Sequence, residues 1–356
     1  MPAAEFHTLQ VASVEPLTDE SVLLTFTVPD NLKSAYAFVA GQHLILRADI
    51  DGVDVRRSYS ICTSAGSGEL QVAVKRLEDG AFSTYVNTQL AAGDTLAVTL
   101  PTGDFLLHTD PETARHYLAI AAGSGITPVM SMISTTLESE PASRFTLLFG
   151  NRDGRSIMFL EELGALKDRF PSRFSLLHIL SREPNAIPLF EGRIDGAKLK
   201  DVFSTVVDIG SVNAFYLCGP AGMVDDATEF LTSRGVEETN INTELFFTDR
   251  DAITPPQPVA DDADGVVVEF ELAGRVSTVV VPPDGAPILD YVLSARTDAP
   301  FSCRNGACAS CRAVVIEGEV VMDHNWALTQ DEVDAGQILT CQSHPVLTSL
   351  KLSYDI

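Results

Sequence analysis

The chain is poor in positive charge, has no long apolar run and no leader-like start, and each lack argues against a class of function. Lys and Arg total 24 against 49 Asp and Glu in 356 residues, for a formal net charge of −25. A surface of that sign repels phosphate backbones and anionic lipid headgroups, so neither nucleic acid nor a membrane is expected as a partner. No apolar run approaches the roughly 18 residues that a membrane-spanning helix requires, and a soluble protein is expected. The opening MPAAEFHTLQVASVE has no basic region followed by an apolar core and a small-residue cleavage site. The expected location is therefore the cytoplasm, where a disulfide framework is disfavoured.

A chain of this length exceeds the size at which one hydrophobic core stops growing, so two or three domains are expected. Residues 1–110 read as short β-type runs between turn signals, among them FHTLQVASVE, VLLTFTVP, GQHLILRADI and VDVRRSYSI, with one helical signal at 82–90. Even spacing of this kind predicts a small antiparallel β-barrel. Residues 111–247 alternate apolar strands (YLAIAA, FTLLFG, FSLLHILS, AFYLCG, INTELFF) with helical segments, the pattern of an α/β domain with a parallel sheet. Residues 248–264 are rich in Pro and Asp and read as a linker. Residues 265–356 predict a small α+β domain with strands VVVEFEL, STVVVPP, CRAVVIEG and SLKLSYDI and a short helix ILDYVLSA.

The six cysteines are Cys62, Cys218, Cys303, Cys308, Cys311 and Cys341, and the last four follow the spacing C-x4-C-x2-C-x29-C. Three fit one loop around a compact inorganic core, and the spacing is that of a [2Fe–2S] cluster with four thiolate ligands on two irons. Small residues, Asn305, Gly306, Ala307, Ala309 and Ser310, let backbone N–H groups approach the sulfurs. A structural zinc usually takes two C-x2-C pairs or Cys/His pairs, and only one C-x2-C is present. Over its last ninety or so residues the chain resembles plant-type ferredoxins, which implies a β-grasp fold. Cys62 and the histidines are read as structural or solvated, with His43 as a barrel contact.

Arg57-Ser58-Tyr59-Ser60 lies on a predicted barrel strand. Alone it could be an ordinary exposed strand; in this context it resembles the flavin-binding strand of the ferredoxin–NADP reductase superfamily. That resemblance implies that Arg57 pairs with the FAD pyrophosphate. Tyr59 and Ser60 would contact the ribityl chain and the isoalloxazine, with Ser58 a further cofactor contact and Ser60 also catalytic. It also implies flavin contacts at Val74 and Lys75 and at the helix opening of Gly80, Phe82, Ser83 and Thr84, where N–H groups and hydroxyls suit phosphate.

Gly123-Ser124-Gly125-Ile126-Thr127-Pro128 directly follows strand YLAIAA. Two glycines let a pyrophosphate approach the backbone at a helix start, which Thr127 can cap and whose first turn suits Pro128. The third glycine of the common dinucleotide fingerprint is missing, and the segment instead matches the superfamily's G-x-G-I-T-P. The next strand ends Gly150-Asn151-Arg152, without the Asp or Glu that would grip a ribose 2′-hydroxyl. Asn151 and Arg152 remain nucleotide candidates. The third strand ends Ser181-Arg182, which by the resemblance takes the 2′-phosphate and favours NADPH over NADH. Cys218-Gly219-Pro220, with Met223 beyond it, resembles the C-G-P motif beside the nicotinamide, although a buried cysteine at a strand end is common. The same resemblance sets Cys218 and Glu244 at the nicotinamide as catalytic residues and Phe246 against the flavin.

Reductase first and ferredoxin last is the order of oxygenase reductases. The stretches EGEVVMDHNWALTQDEVDAGQILTCQSHP and GSGITPVMSMISTTLESEPASRFTLLFGNR resemble most closely the family of reductase subunits of bacterial phenylacetyl-CoA epoxidases. Reductases of steroid and aromatic-ring hydroxylases share the architecture. The resemblance implies electron flow from NADPH through FAD and the cluster to a di-iron oxygenase that epoxidises phenylacetyl-CoA in phenylacetate degradation. A flavin and iron–sulfur redox sensor without turnover, and a general NADPH–ferredoxin reductase, use the same parts. Residues 261–356 carry 15 Asp and Glu against 5 Lys and Arg, a surface suited to a basic partner or to solubility alone.

Overall fold

The structure, a computed structural model, describes residues 6–78, 80–246, 265–283, 285–304, 306, 309–325, 327–346 and 349–355. Cys308 and the segment 248–264, expected as a cluster ligand and a linker, lie outside the described residues.

Strands β1 (Phe6–Thr18), β2 (Ser21–Thr27), β3 (His43–Ile50), β4 (Val53–Ser60), β5 (Leu70–Lys75) and β6 (Thr95–Thr99) form one antiparallel sheet in the order β4-β3-β6-β1-β2-β5. An antiparallel bridge between Ile61 and Val72 joins its two edges, so the sheet curls on itself. Its core is built from Leu9, Leu24, Leu44, Leu46, Val72 and Val98, and α1 (Ala81–Thr88) adds Phe82 and Val86. Strand pleating decides what each face does. On β5, Val72 and Val74 enter the barrel core, while Ala73 turns outward into the core of the next unit.

That unit contains β7 (His116–Ala122), α2 (Ile126–Ser139), β8 (Arg144–Asn151), α3 (Leu160–Arg169) and β9 (Phe174–Leu180), then α4 (Gly196–Thr205), β10 (Ala214–Gly219), α5 (Ala221–Ser233) and β11 (Ile241–Leu245). All neighbouring strands are parallel, in the order β11-β10-β7-β8-β9. The chain winds outward from β7 through β8 to β9, then returns to place β10 on the other side. The carboxyl ends of β7 and β10 therefore flank the switch point where open parallel sheets bind ligands. Two cores cover the sheet, one under α2 and α3, the other holding Leu199 and Val202 of α4 with Val224 and Leu231 of α5. Helix α4 was not among the expected elements; only Leu199 and Val202 are buried along it, too thin an apolar stripe to stand out.

The remaining described residues form β12 (Val266–Leu272), β13 (Arg275–Val281), α6 (Ile288–Ala295), β14 (Arg312–Glu317), β15 (Val320–Met322), α7 (Gln330–Asp334), β16 (Gln337–Leu339), β17 (Ser343–Pro345) and β18 (Ser349–Ser353). A mixed sheet runs β13-β12-β18-β14-β16, with β12 and β18 parallel, and β15 pairs separately with β17. Helix α6 packs Ile288 and Val292 against Phe270, Leu350 and Leu352 of the sheet. Among the described residues no helix is long and apolar enough to cross a membrane.

Candidate functional site

A cavity of about 1010 Å³ opens where the barrel, the parallel sheet and the cysteine loop meet. Its barrel wall is the end of β4, with Arg57, Ser58, Tyr59 and Ser60 all on the lining. Arg57 Nη1 donates to the Arg56 carbonyl at 2.8 Å, and the Tyr59 ring packs 5.7 Å from Phe82. From β5 the cavity receives Ala73 and Lys75, and from the turn after it Leu77, whereas Val74 lies in the barrel core. Burial, and then the nearby Arg152 guanidinium, hold the Lys75 ammonium below its ordinary pKa, which suits a cation waiting for an anion. Gly80, Phe82, Ser83 and Thr84 are not on the lining. Phe82 is buried in the barrel core, and the Ser83 hydroxyl serves its own turn, donating to the Gly80 carbonyl and accepting from the Leu77 N–H, each at 3.1 Å.

The opposite wall is built from strand ends of the parallel sheet. Residues Gly123–Gly125 form a tight turn into α2, and Gly123, Ser124 and Thr127 line the cavity. Gly125 is required by space, because a Cβ there would stand 2.2 Å from the Cys218 carbonyl oxygen. The close approach brings the amino end of α2, with its unsatisfied N–H groups, to the switch point. Thr127 does not cap the helix as expected from the sequence. Gly125 is the N-cap residue, and the Thr127 hydroxyl donates back to the Ser124 carbonyl at 3.1 Å. Pro128 lies in the first turn and is buried.

Asn151, Arg152, Ser181 and Arg182 follow along the same wall. The Asn151 side chain is buried with its Nδ2 unpartnered, an amide left for a ligand to satisfy. Arg152 is held by Glu20 of the barrel at 2.6 Å. Arg182 and Arg193 also line the cavity and make no ion pair with any described residue. Sequence reasoning missed Arg193. It stands on a loop anchored by the Gly192 N–H to the Leu180 carbonyl at 2.8 Å, with no periodic signal to mark it.

Farther along the sheet, β11 pairs with β10 so that Glu244 stands beside Cys218. Glu244, Phe246, Pro220 and Met223 reach the cavity; Cys218 and Gly219 lie behind the wall. Burial, and then the Glu244 carboxylate 3.9 Å from Sγ, push the Cys218 thiol well up, so it stays protonated. His43, expected as a barrel contact, lines the cavity too, and burial lowers its pKa to about 4, so the imidazole is neutral.

The cysteine loop closes the site. Cys303 lines the cavity, while Cys311 and Cys341 are buried with Phe301, Leu289 and Leu339. No disulfide joins these three. Arg304, Gly306 and Ala309 all take positive φ. The Gln342 amide lies 3.6 Å from Cys341 Sγ. Among the described residues no group of three His, Cys, Asp or Glu side chains is close enough to hold a metal ion; Cys308, the fourth of the spaced cysteines, lies outside them. The donor set, soft thiols in an apolar shell with an amide donor, fits an iron–sulfur cluster. The orphaned Asn151 amide, the α2 terminus and the Arg57, Lys75 and Arg182 cations fit phosphate-bearing cofactors.

Three family descriptions match the chain in sequence: an oxidoreductase FAD-binding domain at residues 8–106, an oxidoreductase NAD-binding domain at 119–229, and a 2Fe-2S iron-sulfur cluster binding domain at 270–346. The chain is 42% identical over 350 residues to a subunit of 1,2-phenylacetyl-CoA epoxidase from Escherichia coli K12, covering 98% of each. It is 32% identical over 354 residues to the ferredoxin reductase component of 3-ketosteroid-9-alpha-monooxygenase from Rhodococcus rhodochrous, covering 97% of this chain and 96% of that one. Among solved structures, phthalate dioxygenase reductase has the same fold, with a TM-score of 0.61 at 24% identity and 98% of both chains covered. These matches assign FAD, NAD(P)H and a [2Fe–2S] cluster to the chain as its cofactors.

Proposed function

This chain belongs to the family of flavin- and [2Fe–2S]-dependent reductases that serve oxygenases, and on that premise we propose that it reduces the oxygenase of a phenylacetyl-CoA epoxidase. The observation carrying the substrate assignment is the 42% identity to a subunit of such an epoxidase, over 98% of both chains. A flavin accepts a hydride's electron pair and releases it singly, and a [2Fe–2S] cluster carries one electron at a time. The residues around the cavity bind and order these groups. Arg57 and Lys75 neutralise phosphate at the barrel wall, the α2 terminus takes the nucleotide pyrophosphate, and Glu244 and Phe246 close the cavity between flavin and nicotinamide.

The nucleotide is NADPH in this reading. Arg182 and Arg193 are cations without an ion pair among the described residues, and the strand end at Asn151 offers no carboxylate to a 2′-hydroxyl. The acceptor is a di-iron oxygenase presenting a basic patch to the acidic ferredoxin domain, and the cytoplasm is the proposed location. The test supplies the purified protein and NADPH to two oxygenases, that of the epoxidase with phenylacetyl-CoA and that of a ketosteroid hydroxylase with its steroid. Coupled oxidation of the CoA ester and none of the steroid is expected. The reverse pattern would move the assignment to the steroid system, in which a relative 32% identical to this chain works.

A further inference from the structure

We propose that Arg56 is the positioning residue that docks the cluster loop against the flavin strand and so sets the rate of electron transfer from flavin to cluster. The proposal rests on the family reading above, and on a contact that no cofactor site uses. Arg56 is the neighbour of Arg57 on β4, but its guanidinium turns away from the cavity and is buried, with the side chain 5% exposed. Nη1 donates to the Ala299 carbonyl at 3.1 Å and Nη2 to the Thr297 carbonyl at 3.1 Å. Asp54 holds Nη2 from the barrel side at 2.8 Å. The guanidinium lies 4.9 Å from the centroid of the Phe301 ring, with Phe6 on the barrel side at 5.6 Å.

Every partner on the far side belongs to residues 297–301, which lead directly into the first cluster cysteine. Two residues on, the Ser58 hydroxyl meets that of Ser302 at 2.6 Å, and Cys303 then lines the flavin cavity. The segment 297–303 is thus strapped along β4, with Arg56 as its strongest tie. A buried guanidinium that donates to two carbonyls and stacks on a ring fixes orientation as well as distance, which a lysine could not reproduce. The step it governs moves one electron from reduced flavin to oxidised cluster, the reductant being NADPH hydride; no bond is made or broken between the two centres.

The test uses the full chain with both cofactors and compares Arg56→Ala and Arg56→Lys with the parent. Stopped-flow absorbance follows NADPH-driven flavin reduction and then cluster reduction, electron paramagnetic resonance gives the cluster midpoint potential, and hydrogen exchange follows the amides of 297–302. Removing two charge-assisted hydrogen bonds is expected to slow cluster reduction in Arg56→Ala by about 10-fold or more. Exchange of the segment should rise, with FAD content, flavin reduction and cluster potential unchanged and Arg56→Lys intermediate. Cluster reduction at the parent rate despite faster exchange would overturn the proposal. So would loss of FAD, which would make Arg56 a flavin ligand, or a shifted potential with unchanged exchange, which would make it a tuning residue. Should Arg56→Ala not fold, Asp54→Asn removes the ion pair that holds Nη2 from the barrel side and is judged by the same readouts. A parent protein whose cluster NADPH cannot reduce would instead remove the family reading beneath the proposal.

Discussion

Gly125→Ala should separate nucleotide use from everything else the protein does. The added methyl would stand 2.2 Å from the Cys218 carbonyl oxygen, 2.6 Å from its carbon and 3.0 Å from the Gly219 nitrogen, where ordinary contact begins at 3.4 Å. All three are backbone atoms of β10, a central strand bonded on both sides, and none can rotate away. The start of α2 must therefore withdraw by about 1 Å, the shortfall between 2.2 and 3.4 Å. Gly125 has φ −62° and ψ −6°, so alanine would meet no conformational strain and the whole penalty is steric. Overpacking of this kind costs roughly 1–3 kcal/mol of stability, which a domain of this size survives. For hydride transfer, a displacement of ~1 Å can cost on the order of 100-fold in rate. Stopped-flow flavin reduction by NADPH should therefore be about 100-fold slower, while dithionite still reduces flavin and cluster. Gly123→Ala is a different change, since its methyl meets no protein atom within 4 Å but it sits at φ +54° and faces the cavity itself. Flavin reduction at the parent rate in Gly125→Ala would refute the cradle.

Arg182→Ala should lower the preference for NADPH over NADH by roughly 10- to 150-fold, the loss of a charge-assisted contact of about 1.5–3 kcal/mol; equal effects on the KM of both nucleotides would reject the 2′-phosphate assignment. Cys308→Ser should abolish cluster reduction and leave NADPH-to-ferricyanide turnover, and loss of both activities would show that flavin and cluster are not separable. His43 ties stability to pH: its folded pKa of about 4 lies below its ordinary 6.5, so the unfolded chain takes the proton first. The stability it protects is complete above pH 6.5 and is lost as pH falls toward 4, by at most about 3 kcal/mol. Urea unfolding between pH 7.5 and 4.5 should show this slope reduced in His43→Gln, and an unchanged slope would place the titration elsewhere.

The strands and the cysteine spacing were legible because each is a local pattern. β7 is a run of apolar residues buried on both faces, and C-x4-C-x2-C needs no partner segment to be recognised. What stayed hidden depends on which face of an element meets which neighbour. Val74 and Lys75 are adjacent in sequence, yet pleating sends Val74 to the barrel core and Lys75 to the cavity. Phe82 and Ser83 follow a glycine at a helix start, a pattern that suits phosphate, but their side chains are spent on the core and on the helix turn itself. Arg193 reaches the cavity from a loop whose position is set by strand β9, and no local signal announces that. Strands β15, β16 and β17 are three residues long, below what alternation can reveal.

Strand β4 faces both the cavity and the segment that leads into the cysteine loop. Successive residues of a strand point to opposite sides, so neighbouring arginines part company: Arg57 lines the cavity and Arg56 is buried against the cluster loop. Ser58 lines the cavity and also meets Ser302, one residue before a cysteine that itself lines the cavity. A one-residue slip of β4 would exchange the two arginines and break both arrangements at once. The internal contact is made by a buried guanidinium, carbonyls and hydroxyls, groups whose bonds salt barely screens. The ferredoxin domain, residues 265–356, instead carries 12 acidic against 5 basic residues, and of the described acidic ones only Asp290 is buried, so attraction to a partner is long-ranged, fast and weakened by salt. The two kinds of contact answer different demands, since the flavin and cluster exchange electrons within one chain while the oxygenase must be met, reduced and released.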